Sequence, residues 1–193
     1  MSDLNNLFDL FQQQPKFLAK FLHTLSLLEY IGTRKIIKSQ HESEVSMEIL
    51  LHASEEIRHA RVFKKLAEEV GQKSLGGYVS EDLLCMAEAE AYFQTVDSEV
   101  GRCVSDRRVA YALTTLLVEE RALEIYPPLE DLLSSLGFSG RVAGILKEEE
   151  NHLRAIHQEL VDVESLLVRC QEVERTAFSK FIIAVGAVAS SVG

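Results

Sequence analysis

The stretches ASEEIRHARVF (residues 53–63) and ILKEEENHLRAI (residues 145–156) decide how this chain reads. Each contains Glu-x-x-His: Glu56 with His59, and Glu149 with His152. On a helix, side chains three residues apart share one face. Each pair follows a lone glutamate, Glu29 in the first half and Glu119 in the second. The lone glutamates are 90 residues apart (29 to 119) and the pairs 93 (56 to 149). All six side chains are of types that bind hard or borderline metal ions. Two such pairs plus two lone glutamates form the ligand set of a two-metal site inside a four-helix bundle.

The neighbours of these residues strengthen the reading. Leu22, Leu25, Ser26, Thr33 and Ile36 fall on the face of Glu29. Ile49, Ala53, Ala60, Phe63 and Leu66 accompany Glu56 and His59. Ala112, Leu116, Ala122, Leu123 and Tyr126 accompany Glu119, and Val142, Ile145, Leu146, Leu153 and Ile156 accompany Glu149 and His152. Spacings of three, four and seven put each set in line. Four glutamates therefore sit within apolar stripes, where an ionised carboxylate is costly unless paired or metal-bound. Two divalent cations would neutralise them, with two imidazoles completing the ligand shell. Glu120 also lies on an apolar stripe, with Leu113, Leu116 and Leu117, and stays open as an alternative to Glu119. Glu148 and Glu150 read as solvated. His23, His41, His52 and His157 read as structural or exposed, because they lack comparable partners in sequence.

Composition fits one all-α domain spanning 1–193, with a core bundle over about 15–168 and a C-terminal helix over about 170–190. The 193 residues suffice for one well-packed unit, and 10 Gly with 3 Pro leave long segments without turns. Long helices are expected from Pro15 to Lys38, up to Val70 with Gly71 as the residue after the helix, from Ser105 to Tyr126, and from Gly140 towards Val168. Pro127 and Pro128 are expected to end or kink the third of these, with one or two further turns over Leu129 to Leu136. Ser80 reads as the N-cap of a shorter helix to about Thr95.

A net charge of −10 disfavours general nucleic-acid binding. The basic runs Arg34, Lys35, Lys38 and Arg107, Arg108 read as solvated surface. Three cysteines without C-x-x-C suit a reducing cytoplasm and exclude a rubredoxin-type iron centre. The N-terminus lacks the features of a signal peptide. The C-terminal FIIAVGAVASSVG, 13 residues long, is too short to span a bilayer and reads as a packing helix.

The pattern Glu29, Glu56-Ile57-Arg58-His59, Glu119, Glu149-Glu150-Asn151-His152 resembles the ferritin-like diiron carboxylate superfamily over roughly residues 15 to 160. EEIRHARVF and LLVEERALEIY look most similar to its tRNA-modifying diiron hydroxylase group, through the element Glu119-Glu120-Arg121. Rubrerythrin-like proteins are also close. The resemblance implies a ferritin-like four-helix bundle with additional short and C-terminal helices. It implies two iron ions, bridged by Glu56 and Glu149, with Glu29 and Glu119 as terminal ligands and one histidine on each ion. Manganese or a mixed pair suits the same donors. The implied activity is that of an oxygen-activating oxidoreductase or hydroxylase. Its expected partners are dioxygen, a small or apolar substrate and an external electron donor. A homodimer is compatible with this reading, and the acidic charge disfavours tRNA. Leu25, Phe63, Leu116, Leu123 and Ile145 are candidate pocket walls. Tyr126 is a candidate hydrogen-bond or electron donor, although a core aromatic is the stronger reading. Two rival functions share the sequence: iron handling without an organic substrate, and a helical interaction module that binds no metal.

Overall fold

The computed structural model describes residues 2–160 and 163–191. Among the described residues there are seven α-helices and two short 3-10 turns, with no strand. The helices are α1 (Ser2–Gln13), α2 (Pro15–Ser39), α3 (Met47–Gly71), α4 (Met86–Cys103), α5 (Arg107–Ser135), α6 (Ala143–Glu159) and α7 (Glu164–Ser190). α2 packs along α3, α5 along α6, and α4 along α7. One contiguous apolar core draws on all seven helices.

Local chemistry explains most boundaries. Pro15 opens α2, where its missing N–H costs nothing. Ser46 caps α3 by accepting from Ile49 N, and Asp106 caps α5 by accepting from Arg108 N and Val109 N. α2 and α3 are tied where Ser26 Oγ donates to Ala60 O at 2.6 Å.

Four expectations need correction, and one helix is additional. Gly71 is the last residue of α3, and Gln72 takes the left-handed conformation at φ 49°. The glycine serves packing instead, because a Cβ there would lie 3.1 Å from Ala19 Cβ on α2. Ser80 does not cap a helix: Ser80–Asp82 is a 3-10 turn, and α4 begins at Met86 and runs to Cys103. Thr24 pins this segment away from helix, accepting from Leu84 N at 2.8 Å and donating to Leu84 O at 3.0 Å. α5 continues through Pro127 and Pro128 to Ser135. The two prolines remove backbone donors, but Tyr126, Leu129, Leu132 and Leu133 hold the continuing turns in the core. The fourth long helix stops at Glu159, and the chain re-enters helix at Glu164 rather than about 170. Finally, α1 was not expected. It buries Leu7, Phe8 and Phe11 and packs on α7, α2 and α5, with the Phe11 and Phe21 rings 5.1 Å apart.

The apolar C-terminus is a packing helix. Phe178, Phe181, Ile182, Val185 and Ala189 of α7 are buried. No helix among the described residues is long and apolar enough to cross a membrane.

Candidate metal centre

Four helices deliver the six residues singled out from sequence to one buried place. Glu29 comes from α2, Glu56 and His59 from α3, Glu119 from α5, and Glu149 and His152 from α6. The four glutamates and His59 are buried, and His152 is half-buried. They form two groups whose possible ligand atoms lie within 4.8 Å of one another in each group. One group is Glu29, Glu56, His59 and Glu149; the other is His52, Glu56, Glu119 and His152. Glu56 belongs to both.

His52 is the residue that sequence reasoning set aside, and it joins the second group. Its Nε2 lies 3.2 Å from Glu119 Oε1 and 3.4 Å from Glu56 Oε1. Its ring sits 4.2 Å, centroid to centroid, from that of His152. The signal was present as His52-x-x-x-Glu56-x-x-His59, three residues on one helical face. The partner that identifies it, Glu119, comes from another helix. Between Glu119 and Glu120, the structure brings only Glu119 into the cluster; Glu120 accepts from Gln171 at 3.0 Å.

Each histidine is held by a second group on its far nitrogen. His59 Nδ1 is 3.1 Å from Glu149 Oε1, while its Nε2 is 2.8 Å from Glu148 Oε2. Arg58 donates to the same Glu148 oxygen. His152 Nδ1 faces Glu119 Oε1 at 3.2 Å, and its Nε2 pairs with Glu55 Oε2 at 2.8 Å. His52 Nδ1 pairs with Tyr111 Oη at 2.6 Å. Such outer partners orient an imidazole and set which nitrogen is free to bind. Glu148, read from sequence as solvated, is therefore half-buried and an outer partner of His59, whereas Glu150 is exposed. Tyr126 is buried against Phe63 and donates its hydroxyl to Glu29 Oε1. It is a core aromatic and a cluster partner at once. Tyr30 stacks on Tyr78 instead, with ring centroids 5.6 Å apart.

The electrostatics are those of a carboxylate cluster short of positive charge. Burial, together with Glu56 and Glu149, pushes the Glu29 carboxyl well above its ordinary range. Burial and the nearby Glu149 push Glu119 up to about 8. Burial also opposes ionisation of Glu149, but Glu119, His152 and His59 around it outweigh burial and hold it low. Against the effect of burial, Glu119 and Glu56 raise His52 to about 9, and Glu119 and Glu149 raise His152 to about 11. Protons thus do the neutralising that cations could do. Within the cluster two buried ligand-type atoms, His59 Nδ1 and Glu119 Oε2, make no hydrogen bond; outside it, His23 Nε2 makes none either. Such orphaned acceptors inside a packed core are costly unless something else satisfies them. A nitrogen- and oxygen-donor set of this composition fits divalent iron or manganese.

An open cavity of about 310 Å³ reaches the second group. Gly32 and Ile36 of α2, Phe93 and Val100 of α4, and Thr115 and Val118 of α5 line it, and His52, Glu56 and Glu119 close its inner end. A smaller cavity of about 60 Å³, lined by Leu25, Phe178 and Phe181 among others, touches Glu29, Glu56, Glu119 and Glu149. Of the walls expected from sequence, only Leu25 lines either cavity; Phe63, Leu116, Leu123 and Ile145 are packed elsewhere in the core or at its margin. α4 forms one wall of both cavities, through Phe93 in each.

Comparison with protein-family models, curated proteins and solved structures finds no match.

Proposed function

We propose that this chain is a dinuclear metal carboxylate protein of the ferritin-like kind, which uses two iron ions to activate dioxygen towards an organic substrate. The observation that carries this reading is the convergence of four glutamates and three histidines, from four helices, into two adjoining buried groups that share Glu56. Glu29, His59 and Glu149 would hold one ion with Glu56. Glu119, His152 and His52 would hold the other with Glu56, and Glu149 lies 3.5 Å from His152 on that side. His52 makes the donor set unequal, with one histidine in the first group and two in the second. When bound, a ferrous pair would supply Lewis acidity and two electrons, the oxidised substrate the other two that full dioxygen reduction requires, and an external donor would restore the ferrous state.

The remaining chemistry belongs to the chain. Tyr126 holds a proton against Glu29 Oε1 and so limits how that carboxylate can turn. Glu148, Glu55 and Tyr111 fix the three imidazoles from outside. The apolar residues of the small cavity shield Glu29 and Glu149, which the open cavity does not reach. The larger cavity, at about 310 Å³, is of the size expected for a small organic molecule and favours a substrate-processing role over iron handling alone.

The test is a single-turnover oxygen measurement. Anaerobic protein loaded with ferrous iron should take up two ions per chain and consume dioxygen on mixing, with Glu56→Ala abolishing both. Full dioxygen consumption by the Glu56→Ala protein would overturn the assignment.

A further inference from the structure

The two basic runs that read as solvated surface come together in space. Lys35 and Lys38 of α2 and Arg107 of α5 all line the larger cavity, together with Asp97 of α4. Lys38 and Arg107 are exposed and stand at its outer end, while Glu56, Glu119, Phe93, Ile36 and Val100 at its inner end are buried. Lys35 is committed to Asp97 through an ion pair. Lys38 and Arg107 form no ion pair among the described residues, leaving two uncommitted cations at the mouth. This is a local excess of positive charge on a chain of net charge −10.

The cavity is polarised along its length. α5 supplies Arg107, Ala110, Tyr111, Thr114, Thr115, Val118 and Glu119 in successive turns, a run from cation to carboxylate. Twelve residues of helix separate its ends, roughly 18 Å. The middle is mainly apolar, and the inner end is acidic. An anion entering head-first would meet Glu56 and Glu119; the same anion lying tail-first would leave its charge beside Lys38 and Arg107. Coulomb attraction near a surface is weak per pair, but two cations flanking one mouth act on the same group.

We infer that this cavity takes an elongated amphipathic organic anion, whose apolar end lies at Glu56 and Glu119 and whose carboxylate rests between Lys38 and Arg107. The inference deepens the proposed function by naming its substrate class. The capture of the anion follows from the cavity, and only its reaction rests on the dinuclear reading.

The experiment uses the full chain with decanoate and 1-decanol as probes, compared by isothermal titration calorimetry with and without Mn(II). Decanoate is expected to bind saturably and about tenfold or more tightly than the alcohol. In the Lys38→Ala/Arg107→Ala protein that preference should vanish, with decanol affinity unchanged within about twofold. Both sites are exposed, so the fold is not at stake. In the Mn(II)-loaded protein, nuclear relaxation of the bound decanoate should be faster at the terminal methyl than beside the carboxylate. Equal affinity for decanoate and decanol, no saturable binding, the reverse relaxation order, or tighter binding of a short RNA in the same cavity would overturn the inference. Loss of the metal reading looks different: Mn(II) is not taken up, yet the preference for the anion and its dependence on Lys38 and Arg107 persist.

Discussion

Gly32 lies one turn beyond Glu29 on α2, and its missing side chain is what lets Glu56 reach the cluster. A Cβ at this position would stand 3.2 Å from Glu56 Oε2, tighter than ordinary contact. Alanine in a helix interior is favoured over glycine by about 1 kcal/mol, so the backbone gains while the carboxylate must yield. Gly32→Ala is therefore expected to leave the metal-free protein as stable as before, or up to about 1 kcal/mol more stable. Its Mn(II) or Fe(II) affinity should fall about tenfold, the lower end of what a mis-set ligand environment costs. Thermal melting and metal titration check the two halves separately, and unchanged affinity would mean that the Glu56 carboxylate accommodates the methyl in place. At this scale the six candidate residues were legible because Glu-x-x-His and its apolar neighbours are local patterns. His52 was not, since an isolated histidine gains meaning only from Glu119 and His152 across the core. Likewise the cations at 35, 38 and 107 read as surface until α2 and α5 bring them to one mouth.

Among the elements, α7 is held by a buried ion pair that no local pattern announces. Glu174 accepts from Arg121 Nε at 2.9 Å and Nη2 at 2.6 Å, and from Tyr92 Oη at 2.9 Å. This joins α5, α7 and α4 on the side of the core where the small cavity lies. Removing Arg121 strands the buried Glu174 carboxylate with only Tyr92 Oη, which costs about 3–5 kcal/mol, whereas without Glu174 the guanidinium keeps its ion pair with the exposed Glu124. Arg121→Ala is expected to lower the unfolding free energy in urea by about 3 kcal/mol or more. Glu174→Ala should cost less, with the double variant well short of the sum. An additive pair below about 1 kcal/mol each would mean that the bridge is solvated. Arg121, part of the element that carries the resemblance at the ligand helix, lines the small cavity beside the cluster and pairs with Glu174 of α7. The helices that read correctly, α2 and α3 above all, have apolar stripes with clear starts. Those that read poorly were decided by contacts distant in sequence. Thr24 holds Leu84 out of helix, and the buried residues after Pro127 and Pro128 override a local helix-breaking signal. α1 carries Leu4, Leu7, Phe8 and Phe11 at helical spacing, but only the tertiary fold, through α7, α2 and α5, gives that short stripe a surface to cover.

Across the whole molecule the acidic cluster links stability, pH and metal. In the metal-free protein Glu119 titrates at about 8 against an ordinary 4.5, and His52 and His152 at about 9 and about 11 against 6.5. Between the ordinary and the raised values the folded protein binds more protons than the unfolded chain, so stability falls as pH rises. For the histidines the contribution is complete below 6.5 and is lost as pH climbs through about 9 and about 11. The depressed Glu149 acts only at acid pH, below this window. The melting temperature of the metal-free protein is expected to decline from about pH 6 to about pH 10. Metal affinity should rise over the same range, because ligands release protons on binding. A metal-free melting temperature that climbs with pH would contradict this protonation pattern. The central claim is that the carboxylates of four helices meet in the interior to hold two cations. Anomalous diffraction at the iron absorption edge from iron-loaded crystals tests it most directly. The account predicts two peaks, one bounded by Glu29, His59 and Glu149 and one by Glu119, His52 and His152, with Glu56 between them. Crystals of the loaded protein with no anomalous peak inside this cluster would contradict it.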